Sequence, residues 1–121
     1  MRPKTLLIGA SSNPERYSYK AIQMLLQQGY PCEALALRPG HIGDLVFQVG
    51  TPNFDSIDTV TLYINAGHQA TYIDYVISLK PRRIIFNPGT ENPILVAAAS
   101  KNNIPCEMAC TLVLLQTGQY N

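Results

Sequence analysis

The sequence predicts an α/β fold: a Rossmann-like, doubly wound parallel sheet of about five strands with helices on both faces. Short apolar runs rich in β-branched residues alternate with segments of helical periodicity along the 121-residue chain. Turns of small and polar residues separate these segments, and the clearest of them follows the first strand. Because right-handed crossovers return successive strands to one sheet, this alternation predicts a single domain over residues 1–121.

The first half of the chain is predicted to contain two strands and one helix. An apolar run predicts a strand at residues 5–8, and a face of apolar side chains predicts a helix at 18–28 that ends at Gly29. A second strand is predicted at 32–37. A long connection rich in glycine and proline follows, with room for a short strand at 45–49.

The second half is predicted to supply three more strands and two more helices. The strands are expected at 59–64, 83–86 and 105–108, and the helices at 69–79 and 92–101. Thr90 or Glu91 is expected to cap the last of these helices. The doublet Arg82-Arg83 is interpreted as a solvated strand entrance. The apolar tail at 110–116 is expected to pack on the body, as either a helix or a strand.

Composition limits the classes of function. Hydrophobic residues form 46% of the chain and charged residues 14%, the reverse of the balance that produces disorder. A net charge of +1 without a dense basic run argues against nucleic acid as a partner. No apolar run approaches the roughly 20 residues that span a bilayer, so no membrane partner is expected. Three cysteines, an odd number without framework spacing, indicate a reducing compartment and a cytoplasmic protein.

Candidate binding residues follow from the fold class. Ligands of doubly wound sheets bind at the carboxyl ends of the strands, where the strand order reverses. The turns at residues 9–12, 37–40, 65–68 and 87–90 hold these positions. Candidates in these turns are Gly9, Ala10, Ser11, Ser12, Arg38, Pro39, Asn65, Asn87 and Gly89.

The first of these turns suits a phosphate. A helix is predicted directly after it, and a helix N-terminus presents unpaired N–H groups with a partial positive charge. Small residues at 9–12 allow close approach to the backbone. Arg16 supplies a guanidinium, which matches the geometry of phosphate oxygens. The turn therefore predicts a small-molecule nucleotide ligand.

Two departures from the dinucleotide fingerprint narrow the choice of nucleotide. The fingerprint G-x-G-x-x-G is represented by Gly9 alone, and the acidic residue expected after the second strand is replaced by Arg38. A cation there suits a phosphate on the ribose, as in NADP or in the 3′-phosphate of coenzyme A. An NADP-type redox or sensor module is therefore the alternative to a protein that binds coenzyme A.

The string G-A-S-x-x-P-x-R-x-S-Y at residues 9–19, with Gly29-Tyr30-Pro31 and Arg38-Pro39, resembles the small stand-alone CoA-binding proteins. These are similar to the N-terminal CoA-binding domain of the succinyl-CoA synthetase α subunit. The resemblance spans nearly the whole chain and implies coenzyme A (or acyl-CoA) as the ligand. It implies a pyrophosphate over the first turn, with Arg16 and Ser18 nearby, and an adenosine 3′-phosphate beside Arg38 and Pro39.

The resemblance is weaker at the far end of the site. Many relatives end the last strand with Asp-Arg-Cys, where this chain has Met108-Ala109-Cys110. The resemblance therefore implies the phosphate contacts but not the path of the pantetheine arm.

No catalytic constellation can be assembled from the sequence. His68 is interpreted as a helix-start or rim residue, and no His, Cys or carboxylate cluster has the spacing of metal ligands, so no metal is expected. Cys32 and Cys106 are expected to be inert core thiols, and Cys110 to be a buried small hydrophobe rather than a thiol in the ligand crevice. We interpret the chain as a ligand-binding protein more than an enzyme. Two kinds of protein partner are compatible with the sequence: a second copy of the chain, in a homodimer, and a separate acyl-CoA enzyme.

Overall fold

The structure, a computed structural model, describes residues 2–121. In chain order its strands are β1 (Lys4–Ile8), β2 (Cys32–Leu35), β3 (His41–Ile42), β4 (Leu45–Val46), β5 (Ile57–Leu62), β6 (Arg83–Phe86) and β7 (Cys106–Met108). Its helices are α1 (Tyr17–Gln27), α2 (Ala66–Gln69), α3 (Ile73–Ser78), α4 (Pro93–Lys101) and α5 (Thr111–Gln116), with a 3₁₀ turn at Ala70–Tyr72. Within residues 2–121, every helix is too short or too polar to cross a bilayer.

Five strands form one parallel sheet in the order β2-β1-β5-β6-β7, which confirms the predicted fold class. The chain passes from β1 outward to β2 and then returns to β5 on the other side of β1, so the strand order reverses between β1 and β5. Ile8 pairs with both Leu35 and Leu62, which brings the carboxyl ends of these three strands level. The reversal point is the place where such sheets bind ligands.

The two faces of the sheet bury separate apolar clusters because side chains alternate along each strand. Leu6 packs with α3 and α4 on one face, whereas Leu7 packs with α1 and α5 on the other, and both are fully buried. In α1 the buried side chains include Ile22 and Leu25, at helical spacing. Each such buried side chain stabilises the fold by about 1.5–3 kcal/mol.

The helix predicted at 69–79 is instead divided into α2, a 3₁₀ turn and α3. It begins earlier than predicted because the Asn65 side chain accepts a hydrogen bond from the His68 N–H and starts α2. The tighter turn brings Gln69 and Tyr72 onto one side, since residues three apart overlap in a 3₁₀ turn, and both are buried. The sequence pattern does not indicate that the polar Gln69 side chain is buried.

The predicted cap of α4 is also wrong. Asn92, not Thr90 or Glu91, is the N-cap residue, and its side-chain oxygen accepts a hydrogen bond from the Ile94 N–H at 3.1 Å. Pro93 occupies the first helical position, where its missing N–H costs nothing.

The connection after β2 forms a hairpin that ends beside the sheet. β3 and β4 pair in antiparallel fashion, so the predicted short strand exists but is joined by a partner that the sequence did not indicate. The Gln48 backbone then bonds on both sides of Leu35, donating to the Ala34 carbonyl and accepting from the Ala36 N–H, each at 2.9 Å. The hairpin thereby covers the β2 edge, and β2 ends at Leu35 rather than at residue 37.

Arg82 agrees with the predicted solvated strand entrance. Its side chain is exposed and forms two hydrogen bonds to the Asp58 carboxylate, at 2.9 and 3.0 Å. Partial burial alone would raise the pKa of Asp58, but hydrogen bonds from Arg82 and Thr59 and the nearby positive charges outweigh it and lower that pKa.

Arg83 contradicts the same prediction because it is buried. Its guanidinium donates to the Thr59 hydroxyl at 3.1 Å and to the Tyr120 carbonyl, and it lies over the Tyr120 ring at 4.7 Å. Glu107 lies 3.4 Å away and balances the charge. The buried cation thus holds the carboxyl-terminal segment against the amino end of the sheet.

Candidate functional site

A cleft of about 650 Å³ opens at the carboxyl ends of β1, β2 and β5, where the strand order reverses. The turns after β1, β2, β5 and β6 line it, together with the residue after β4 and the start of α1. The lining residues are Gly9, Ala10, Ser11, Ser12, Asn13, Arg16, Tyr17, Ser18, Ala36, Leu37, Arg38, Pro39, Phe47, Tyr63, Pro88 and Thr90. Of the residues predicted from sequence, the cleft therefore contains Gly9, Ala10, Ser11, Ser12, Arg16, Ser18, Arg38 and Pro39.

Gly9 is required by the packing of the two central strands. Its φ is +106°, and a Cβ atom there would lie 2.7 Å from the Tyr63 carbonyl carbon and 2.7 Å from the Ile64 side chain. The Gly9 and Ala10 N–H groups both donate to the Leu35 carbonyl at 2.9 Å. Ala10 thus lines the cleft, but its backbone N–H is already engaged and is not available to a ligand.

The rest of the first turn is held by its own polar groups. The Asn13 N–H donates to the Ser11 hydroxyl, the Glu15 N–H donates to the Asn13 side chain, and the Arg16 N–H donates to the Asn13 carbonyl. The N–H groups of Ser11 and Ser12 have no acceptor among residues 2–121. These two backbone donors remain available for an anion at the cleft.

The N-terminus of α1 also lacks an internal partner. Arg16 is the N-cap residue, its side chain forms no cap hydrogen bond to any residue of 2–121, and the first turn carries no acidic residue. The N–H groups of residues 17–19 likewise find no acceptor in that part of the chain. By contrast, Asn65 caps α2 and Asn92 caps α4. Unpaired N–H groups and the helix dipole together favour an anion at α1.

The charged side chains that line the described cleft are both positive. Arg16 lies at the start of α1 and Arg38 follows β2, and both are exposed. Neither arginine forms an ion pair within residues 2–121, and no carboxylate from that range lines the cleft. Two unneutralised guanidinium groups in one concave surface raise the local positive potential and attract anionic ligands.

The apolar parts of the cleft were not identified from the sequence. Phe47 follows the hairpin, and its ring lies against Gly40, where a Cβ atom would be 3.0 Å from the ring. Leu37 lines the same end of the cleft and is 58% exposed, and Tyr17 at the start of α1 is 70% exposed. Large exposed apolar side chains beside a charged cleft offer contact surface to a planar base or an alkyl chain.

Tyr63 lines the cleft between β1 and β6 and carries an unsatisfied polar atom. Its hydroxyl is buried without a hydrogen-bond partner among residues 2–121. Burial raises the pKa of Tyr63, and the nearby Cys110 adds to the shift. Thr111 opposes part of the shift, but its own hydroxyl is bonded to that of Thr61 at 2.7 Å. A buried hydroxyl without a partner costs about 1–3 kcal/mol.

Three residues predicted from sequence lie outside the cleft. Asn65 caps α2, and Gly89 donates its N–H to the Glu91 carboxylate at 3.0 Å. Asn87 is buried, and its side chain donates to the Thr61 hydroxyl and the Leu62 carbonyl and accepts from the Thr111 N–H. Their side chains or N–H groups are already used to hold the turns together, so this geometry gives their predicted binding role no support.

The histidines and cysteines are separated from the cleft. His68 is exposed on α2, and Cys110 is the half-buried N-cap residue of α5; neither lines the cleft. Burial, together with the charge of Glu33, raises the pKa of the Cys32 thiol to about 12, which makes it unreactive. Residues 2–121 bring together no three His, Cys, Asp or Glu side chains able to hold a metal ion.

Comparison with known proteins identifies the family. A family described as CoA binding domain matches residues 3–116. The crystal structure of an uncharacterized protein is similar to this one, with 39% identity, a TM-score of 0.94 and 98% of each chain covered. No curated protein sequence gives a match.

Two more distant structures share the fold alone. A hypothetical protein from Pyrococcus horikoshii OT3 has 19% identity and a TM-score of 0.85, over 96% of this chain and 83% of that one. A dinucleotide-forming acetyl-coenzyme A synthetase from Ca. Korarchaeum cryptofilum has 14% identity and a TM-score of 0.71, over 91% of this chain and 26% of that one. By the match over nearly its whole length, this chain belongs to the CoA binding domain family.

Proposed function

We propose that the chain binds coenzyme A, or an acyl-CoA, in the cleft at the strand-order reversal. The observation that carries the proposal is the convergence of Arg16, Arg38 and the uncapped start of α1 on one cleft without carboxylates, in a chain of the CoA binding domain family. Coenzyme A is highly anionic, with a pyrophosphate and a 3′-phosphate that need two separate groups of donors.

The pyrophosphate lies over the first turn in this proposal. The N–H groups of Ser11 and Ser12, the first turn of α1 and the Ser18 hydroxyl are the donors for it, and Arg16 supplies the charge. In doubly wound folds the residue after the second strand contacts the adenosine ribose. Arg38 therefore meets the 3′-phosphate, with the adenine near Leu37 and Phe47.

The pantetheine half of the ligand extends away from the β2 end of the cleft in this proposal. Since the adenosine occupies the β2 end, the pantetheine arm leaves the pyrophosphate toward Tyr63, Pro88 and Thr90, which line the opposite end of the cleft. A path in that direction passes the Tyr63 side chain, whose hydroxyl is buried rather than open to the cleft.

The chain acts as a binding protein rather than an enzyme in this account. Among residues 2–121, no histidine, cysteine or carboxylate lines the cleft, so the serine, threonine and tyrosine hydroxyls on its surface have no neighbouring base in the cleft to activate them. A similar fold makes up about a quarter of the length of the acetyl-coenzyme A synthetase. A separate acyl-CoA enzyme is therefore the class of partner that would supply chemistry.

NADP is the competing ligand. Arg38 matches a 2′-phosphate on the ribose of NADP as well as the 3′-phosphate of coenzyme A. A single glycine in the first turn argues against a dinucleotide but does not distinguish the two ribose phosphates.

Calorimetric titration with coenzyme A, dephospho-CoA and NADP⁺ tests the proposal. We expect coenzyme A to bind and dephospho-CoA to bind about tenfold more weakly, since a charge-assisted hydrogen bond contributes roughly 1.5–3 kcal/mol. Absence of heat up to millimolar coenzyme A would contradict the proposal, and tighter binding of NADP⁺ would favour the alternative.

A further inference from the structure

Gln69 is a buried polar side chain that the binding proposal does not use. It lies on α2 and is 1% exposed. Its amide nitrogen donates to the Ile64 carbonyl at 2.9 Å and to the Thr90 carbonyl at 2.6 Å. Its amide oxygen accepts from the Asn92 side chain at 3.0 Å. Each of its polar atoms is therefore satisfied, a condition under which a buried polar network rigidifies its surroundings.

The partners of Gln69 belong to two different turns. Ile64 lies in the turn after β5, directly after Tyr63, whereas Thr90 and Asn92 lie in the turn after β6. Tyr63 and Thr90 both line the cleft. One side chain thus joins the two turns that form the end of the cleft away from Arg38.

The sheet itself does not hold these turns together. Pairing between β5 and β6 ends at Leu62 and Phe86, so beyond that pair the separation of the turns depends on side chains. Asn87 bonds to the Leu62 carbonyl at the end of the ladder, and Gln69 bonds further out.

We propose that Gln69 is a positioning residue: by tying the two turns it fixes the gap between Tyr63 and Thr90 and so sets the affinity for the pantetheine arm of the ligand. This inference rests on the proposed function. The inference predicts that a change at Gln69 alters the affinity for the pantetheine arm but not the affinity for the adenosine. The adenosine lies at the β2 end of the cleft and is not connected to Gln69.

The test compares two ligands on variant proteins. Adenosine 3′,5′-bisphosphate carries the adenosine and 3′-phosphate of coenzyme A but lacks the arm. Gln69→Met keeps the length of the side chain and removes the hydrogen bonds. Asn92→Ser keeps a capping hydroxyl for α4 and removes one hydrogen bond to Gln69. It therefore tests the same inference if Gln69→Met does not fold. Val76→Ala is the control, because it shortens a fully buried side chain on α3 that forms no hydrogen bond to either turn.

We expect Gln69→Met to weaken coenzyme A by about tenfold, since small displacements of a binding wall have large effects. Adenosine 3′,5′-bisphosphate should change by less than roughly twofold, the scatter expected for independent sites. Asn92→Ser should act in the same direction by a smaller factor, and Val76→Ala should leave the ratio of the two affinities unchanged. Amide hydrogen exchange at Gly89 and Thr90 should be faster in Gln69→Met.

Three results would overturn the inference while the proposed function stands. These are equal losses for both ligands in Gln69→Met, the same change of ratio in Val76→Ala, and a wild-type protein that binds coenzyme A no more tightly than adenosine 3′,5′-bisphosphate. A wild-type protein that binds neither ligand contradicts the proposed function itself, and the inference with it.

Discussion

Replacing Gly9 by alanine tests the argument that strand packing, rather than ligand approach, demands glycine at the first turn. The φ of +106° costs an alanine about 1–3 kcal/mol in strain. The new Cβ would also lie 2.7 Å from the Tyr63 backbone, and relieving such an overlap costs about 1–3 kcal/mol more. Neither backbone can yield easily, because the Gly9 N–H is bonded to Leu35 and the Tyr63 N–H to Ile8 at 2.8 Å.

Gly89→Ala is the matched control for that variant. Its φ is +90°, but nothing lies within 4 Å of an added Cβ, so it bears the strain without the overlap. We expect the free energy of unfolding of Gly9→Ala to fall below that of Gly89→Ala by about 1–3 kcal/mol, as measured by urea denaturation followed by circular dichroism. Equal losses, within about 0.5 kcal/mol, would refute the packing argument. The smaller unfolded-state entropy of alanine applies to both variants and cancels.

Three further outcomes are expected. Arg38→Ala should weaken coenzyme A by about tenfold in calorimetry and leave dephospho-CoA unchanged; equal losses would remove Arg38 from the 3′-phosphate. Tyr63→Phe should raise the free energy of unfolding by about 1 kcal/mol because it removes a buried hydroxyl without a partner, and a loss in urea denaturation would show that the hydroxyl is satisfied. The pKa of Asp58 is lowered in the folded protein, so its contribution is present near neutral pH and is lost as the pH falls below roughly 4. Denaturation at a series of pH values should show that acid lowers the free energy of unfolding less in Asp58→Asn than in the wild type. The difference should be less than about 1 kcal/mol for so exposed a pair. Equal losses in the two proteins would show that this ion pair does not contribute to acid sensitivity.

The features predictable from sequence were those determined by local pattern. Strand β6 was placed at its observed residues because its apolar run is bounded by Pro81 and Asn87-Pro88. The first strand, its turn and α1 were predicted to within a residue for the same reason. These elements carry most of the residues at the end of the cleft proposed to bind phosphate, so local pattern predicts which residues line that end.

The remaining features depend on contacts between distant segments. Arg83 follows Arg82 directly, and nothing local indicates that it turns inward to meet Thr59 and Tyr120. Gln69 lies where the expected helix is interrupted, and local pattern does not indicate that its side chain donates to the carbonyls of Ile64 and Thr90.

The cleft residues that the sequence does not indicate also depend on contacts between distant segments. Phe47, Tyr63 and Thr90 come from three separate turns and meet at the cleft through the strand order β2-β1-β5-β6. Asn87 was expected in the cleft because it follows a strand, but its side chain turns inward and satisfies groups below the cleft. Position in an α/β fold therefore indicates which turns face a ligand but not which side chains within them do so.

The most direct test of the central claim is titration of the protein with coenzyme A while its backbone amide signals are followed by NMR. The account predicts saturable shifts at Ser11, Ser12, residues 17–19 and Arg38. Dephospho-CoA should reproduce the shifts at the first turn and at residues 17–19 but not those at Arg38. Absence of shifts at millimolar coenzyme A, or shifts confined to residues outside the cleft, would contradict the account.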